Sequence, residues 1–334
     1  MATLYITEPG SRLEKEYQRL RVVDREGQTL LATPLARVSE VVLVGWVGAT
    51  TPAMLALLDA GVGLTFVTRQ GRLRGRLTPA AGKNLPLRRR QYGQAEDPAF
   101  CLRLSRAIVA GKLRNSRNMA RRMLRSGAEA PPGQLERLKG CLKAIPYCPD
   151  RTTLMSQEGH GAKAYFSILR AALNKELAFD SRSRRPPKDP VNALLSLGYS
   201  LLTANMMTAL ELVGLDPYEG FFHAEAYGRP ALALDLMEEF RPIIVDSVVL
   251  TLVNNRMLSP ADFEPGGSGK PGIYLTQGGR RVFFEQYTRR LNTTISHPLA
   301  GRPLSYQKIF EVQARQLAKF IAGEIDEYQP FLVK

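Results

Sequence analysis

VVLVGWVGATTPAMLALLDAGVGLTFVTRQGRLRGRL, residues 41–77, reads as strand, helix, strand, turn, strand. Val41 to Trp46 is a short β-branched apolar run of the kind a buried strand uses. Thr51 as N-cap, Pro52 at the first helical position, Met54, Leu55, Leu57 and Leu58 as the apolar face and Gly61 as the stop predict one helix. Gly63 to Val67 returns to strand, and Gln70-Gly71 turns the chain into Arg72 to Leu77. Upstream, Leu20–Val23 and Gln28–Leu31 flank Asp24-Arg25-Glu26-Gly27, a hairpin signal.

Downstream the composition changes near Pro79. Gly82, Pro86 and Arg88-Arg89-Arg90 suit an exposed linker, and helical periodicity follows from Phe100 onward. Helices are expected over Phe100–Leu142 (split by Pro131-Pro132-Gly133), Gly159–Leu177, Pro190–Leu212, Arg229–Glu239, Ile244–Asn254, Arg280–Asn292 and Ser305–Ile321, with a Gly/Pro-rich loop at Ser259–Gly272. Strands first and helices later is an α+β order, not an alternating βαβ one. The expected division is a small β-rich domain over 1–80, a linker over 81–99 and a larger all-α domain over 100–334.

The 334 residues carry a net charge of +15 and an isoelectric point near 9.9, which favours a polyanionic partner such as nucleic acid. Between Phe100 and Leu142 ten Arg and Lys stand against only Glu129 and Glu136, and Arg182, Arg184, Arg185 and Lys188 add a second cluster. One-signed charge over several helices points to a phosphate track. No long uninterrupted apolar run is read as a membrane span, and MATLYITEPG is not read as a secretory signal. Cys101, Cys141 and Cys148 show no CxxC pairing, so neither a disulfide framework nor a cysteine-built zinc site is expected, and the protein is expected to be cytoplasmic.

There is no GxSxG, GxxxxGK[ST] or HExxH, and no GxGxxG after a strand. Of three histidines, His223 precedes the apolar helix that carries Asp235, Glu238 and Glu239. Positions three or four apart share a helix face, and buried carboxylates need a cation. One imidazole with several carboxylates suits Mg²⁺ or Mn²⁺. A solvated acidic stripe paired with Arg229 or Arg241 fits the same pattern, and Glu158 reads equally as an acid at a helix N-terminus. Tyr165, on the helix after Glu158, reads as a site residue or as a core aromatic. A non-catalytic DNA-binding scaffold and an enzyme acting on RNA share the charge pattern; indifference to EDTA marks the first, and competition between branched DNA and structured RNA the second.

In order along the chain stand Pro34-Leu35, Val41-Val42-Leu43-Val44-Gly45, Gly61-Val62-Gly63-Leu64-Thr65-Phe66 and Ile108-Val109-Ala110-Gly111-Lys112-Leu113-Arg114-Asn115. Glu158-Gly159 with Tyr165-Phe166, the run from Arg184 to Ser196, Gly214-Leu215-Asp216-Pro217, and His223 with Asp235-Leu236-Met237-Glu238-Glu239-Phe240-Arg241-Pro242 follow. This ordered set resembles the CRISPR-associated Cas-one family, the integrase and endonuclease of spacer acquisition. The resemblance implies a β-sandwich-like N-terminal domain that forms a homodimer and an α-helical catalytic domain. It further implies a small Cas-two partner in a heterohexameric complex and binding of double-stranded and branched DNA without a membrane. It places metal ligands for Mg²⁺ or Mn²⁺ at Glu158, His223 and Asp235, with a further acidic position at Glu238 where some members carry Asp. Tyr165 joins these three as a catalytic candidate, and Lys112, Arg114, Arg184, Arg185, Lys188 and Arg241 are the expected DNA contacts. The implied reaction is attack of a 3′-hydroxyl on repeat phosphodiesters.

Overall fold

The computed structural model describes residues 2–78, 84–183, 186–224, 226–266, 271–298 and 301–333. β1 (Ala2–Ile6), β5 (Val38–Val44), β7 (Gly63–Val67) and β8 (Leu73–Leu77) form one sheet, the first three parallel and β8 antiparallel to β7. β4 (Thr29–Pro34), β3 (Arg19–Val23), β2 (Arg12–Glu16) and the two-residue β6 (Gly48–Ala49) form the second. The β3–β4 hairpin turns at Asp24, whose Oδ1 accepts from the backbone N–H groups of Glu26 and Gln28, an Asx-type closure. Leu13, Leu20 and Val22 of the second sheet pack on Val41, Leu43 and Leu64 of the first and on Leu57 of α1 (Thr51–Asp59). Alternate residues of the first sheet, Val42, Val44 and Val67, join the helical core, so β5 is covered on both faces and its sequence is continuously apolar. The exceptions on β5 are Ser39, half-buried, and Glu40. The buried Glu40 carboxylate accepts from Thr65, Thr208 and Asn205, and so joins the sheet to the helical domain.

Several expectations are corrected. β5, α1 and the parallel β7 make a local βαβ unit inside the α+β order. The N-cap of α1 is Thr50, with Thr51 inside the helix. In the expected linker, Leu85–Ala95 is helix α2: Asn84 caps it, and Pro86 sits in the first turn, where a missing N–H costs nothing. Gln91 of α2 donates to the carbonyls of Asp216 and Glu219, so this segment is packed, not an open tether.

The remaining helices are α3 (Pro98–Arg125), α4 (Gln134–Ala144), α5 (Arg151–Ala172), α6 (Pro190–Val213), α7 (Ala231–Met237), α8 (Ser247–Asn254), α9 (Gln277–Asn292) and α10 (Tyr306–Ala322). The domain is not all-α. The hairpins β9 (Phe263–Pro265) with β10 (Ile273–Leu275) and β11 (Thr294–Ser296) with β12 (Pro303–Ser305) interrupt it; β9 lies inside the expected 259–272 loop and β10 directly after it. α6 is long and apolar enough to cross a membrane, contrary to the sequence reading, but 78 % of that window is buried inside the protein, as in a core helix.

Candidate metal centre

Three elements meet at one point. α5 starts at Arg151 behind the Asp150 cap, eight residues before the expected start, so Glu158 lies mid-helix and not at an N-terminus. Gly161 lets α5 approach α3: a Cβ there would stand 2.7 Å from Leu113. This brings Glu158 to Lys112 of α3, whose ammonium forms ion pairs with Glu158 and, at 2.5 Å, with Glu238.

Glu238 follows α7 in a tight turn closed by Glu238 N–H to the Asp235 carbonyl (3.2 Å) and Phe240 N–H to that of Met237 (2.9 Å). Pro242 has no N–H to give the Glu238 carbonyl, so α7 cannot continue, and the chain passes through a π-turn, Pro242–Asp246, into α8. Arg241 Nη1 donates to both oxygens of Glu238, at 2.8 and 3.1 Å. Burial pushes the Glu238 carboxyl up, but Arg241, Lys112 and His223 outweigh it and hold it well below the ordinary carboxylate range. The same pair raises Arg241 despite its burial.

Asp235 is fully buried and accepts four hydrogen bonds. Oδ2 takes Phe221 N–H (2.7 Å) and Phe222 N–H (2.9 Å), while Oδ1 takes His223 N–H (2.9 Å) and faces His223 Nδ1 at 2.7 Å. Asp235, expected as a metal ligand, is engaged through both oxygens by the turn that carries His223. Its work is to fix that turn and, as an acceptor, to place the ring proton on Nδ1. Nε2 is then the free ring nitrogen, and it stands 3.8 Å from Glu238 Oε1, too far for a hydrogen bond.

Glu158 and Glu238 thus meet at the Lys112 ammonium, with His223 beside Glu238, and the three side chains are 21 %, 3 % and 16 % exposed. As the side chains stand, no three His, Cys, Asp or Glu groups among the described residues enclose a common point, because the Lys112 ammonium fills the place between the two glutamates. A cation already sits between Glu158 and Glu238, and His223 Nε2 faces Glu238 across 3.8 Å. Those features fit a hard divalent ion that displaces Lys112.

Tyr165 lies elsewhere. Two turns beyond Glu158 on α5 and buried, it donates to Asp246 Oδ2 at 2.9 Å, which is the core reading and not that of a group touching DNA. Lys112 and Arg241, expected on a surface track, are buried in the centre itself. Arg114 and Lys188 are exposed as expected; Arg184 and Arg185 lie outside the described residues. Sequence reasoning missed Asp246 and Tyr199, although a lone acid in the apolar run PIIVDSVVL was a readable signal.

The family model described as CRISPR associated protein Cas1 matches residues 4–289. A CRISPR-associated endonuclease Cas1 from Thermus thermophilus is 41 % identical over 336 residues, which covers 100 % of this chain and 98 % of that protein. A casposase bound to integration product superposes with a TM-score of 0.86 at 23 % identity, over 98 % of this chain and 93 % of that one. A chain of a Cas6-RT-Cas1–Cas2 complex superposes at 0.80 with 24 % identity, over 98 % of this chain and 36 % of that one. The two structures speak for the fold, and the family match with its close, full-length relative speaks for descent: the chain belongs to the CRISPR-associated Cas1 family.

Proposed function

We propose that this protein is a metal-dependent DNA endonuclease and integrase that inserts spacers into a CRISPR array. The observation that carries the reading is the Lys112 ammonium held between Glu158 and Glu238, with His223 Nε2 3.8 Å from Glu238 and Asp235 bonded behind the histidine. Glu158, His223 and Glu238 would hold Mg²⁺ or Mn²⁺, and Asp235 fixes the tautomer and angle of the imidazole. When bound, the ion supplies charge neutralisation at the phosphoryl group and orientation of the attacking oxygen.

The chain's own groups do the rest. Lys112, which pairs with both glutamates, would supply positive charge to the phosphate once an ion takes its place. Arg241 keeps Glu238 ionised inside the protein. Phosphoryl transfer depends on such positioning and charge placement. A 3′-hydroxyl as nucleophile gives strand transfer, and water gives cleavage. The similar casposase, bound to integration product, supports the first, and the Thermus relative, an endonuclease by name, supports the second.

The chain would act as a homodimer through its N-terminal domain. Leu30 and Leu31 are exposed on β4, the outer strand of the second sheet, an apolar edge of the kind that pairs. The similar chain from a complex with Cas2 supports a partner of that kind, and a heterohexamer is the assembly proposed for the two.

Strand transfer of a 3′-hydroxyl duplex into a repeat-containing DNA, with Mn²⁺ or Mg²⁺, tests the reading. His223→Ala and Glu238→Ala are expected to lower the rate by at least about 10³-fold while DNA binding persists. Wild-type rates in both variants, or in EDTA, would overturn it and leave a non-catalytic DNA-binding scaffold.

A further inference from the structure

Asp246, 1 % exposed, lies on the π-turn behind the centre and binds two tyrosines. Its Oδ2 accepts from Tyr165 of α5 at 2.9 Å and its Oδ1 from Tyr199 of α6 at 2.5 Å. From Tyr165 the rigid helix α5 runs back two turns to Glu158. The ring of Tyr199 lies under Arg241, with Cζ 4.3 Å from the centroid, and Arg241 grips both oxygens of Glu238. One buried carboxylate is therefore joined by one route to Glu158 and by another to Glu238. A carboxylate inside a core costs several kcal/mol unless it is fully bonded, and packing alone would be met by apolar residues of the same size.

We propose that Asp246, Tyr165 and Tyr199 are positioning residues that set the separation of Glu158 and Glu238, and with it the affinity for the divalent cation between them; this rests on the metal-dependent reading above. Neither tyrosine hydroxyl touches substrate. Each holds a helix or an arginine in the place where a glutamate meets the ion.

The experiment uses the full chain with Tyr165→Phe, Tyr199→Phe and the double variant, which keep both rings and remove only the hydroxyls. Mn²⁺ binding is read from the free-ion signal in electron paramagnetic resonance, independently of activity, beside a Mn²⁺ titration of strand transfer. Each single variant is expected to weaken Mn²⁺ binding by about 3- to 10-fold and the double variant by about 10- to 100-fold. The kcat falls with them, and KM for DNA stays unchanged. Tyr92→Phe removes a surface hydroxyl that bonds Asp216 and serves as a control without effect.

Mn²⁺ affinity within about twofold of wild type in the double variant, with only the melting temperature lowered, would overturn the proposal. So would loss of affinity in Tyr199→Leu alone, because the ring and not the bonds to Asp246 would then act. Absence of Mn²⁺ binding in the wild-type chain would overturn the metal reading itself and this inference with it.

Discussion

Glu238 and Glu239 are neighbours in sequence with opposite electrostatics. Glu238 faces Arg241 and Lys112 and stays charged. Glu239, 2 % exposed, forms no ion pair among the described residues; it accepts from Phe331 N–H (2.8 Å), Tyr328 OH (2.9 Å) and Gln313 (3.2 Å). Burial outweighs those bonds and pushes its carboxyl up to about 8. The native state then keeps a proton to about pH 8 that the unfolded chain releases near 4.5, so stability falls as pH rises through that window. Glu239→Gln removes the titration and can turn its carbonyl to Phe331 and its amide to the Tyr328 oxygen. Thermal unfolding in EDTA is expected to give the variant a flatter profile from about pH 5 to 8. At pH 8 a gain on the order of a few kcal/mol is expected. An unchanged slope would show that Glu239 is ionised in the fold.

Among elements, the α3–α5 crossing decides whether Glu158 reaches the centre. Gly161 lies in it, against Leu113. Gly161→Val is expected to cost about 1–3 kcal/mol in thermal unfolding and to slow strand transfer more than tenfold, because α5 must shift and Glu158 moves with it; retained activity at lowered stability would place the accommodation in Leu113. The sequence makes this crossing hard to read. Arg151 to Gln157 is largely polar and Gly159 and Gly161 blur the 3.6-residue period, so no apolar stripe marks the start of α5 although Asp150 offers a cap. α2 is hidden by Pro86 and three arginines, which read as linker until their place in the first turns is known. By contrast α1 and β7, with caps, stops and clean periodicity, are legible almost to the residue. The residue types of the centre are legible too, but not the hydrogen bonds that enclose Asp235 or the ion pairs that hold Glu238. Three residues apart, both can share a face, and only the course of the 221–223 backbone shows which one is enclosed behind the histidine. Asp246 and Tyr199 approach from separate elements, and no spacing links them.

For the whole molecule, charge and shape together place the DNA. Arg114, Arg121 and Arg125 are exposed on α3 at spacings of seven and four, one stripe along the helix. Arg114 lies two residues from Lys112, about 200° around the axis, so the stripe does not share the face of the metal centre. DNA contacts there grip the duplex away from the reacting phosphate, and they contribute to binding without changing the barrier. The variant Arg114→Gln/Arg121→Gln/Arg125→Gln is therefore expected to weaken DNA binding at low salt while kcat at saturating DNA and the Mn²⁺ dependence hold. The decisive readout is the slope of log affinity against log salt. Removing three phosphate-binding charges should make it shallower by about 2–3. An unchanged slope would remove α3 from the phosphate track and move the search to the basic residues around Lys188 at the start of α6, whereas a loss of kcat would mean that the stripe reaches the reacting strand after all.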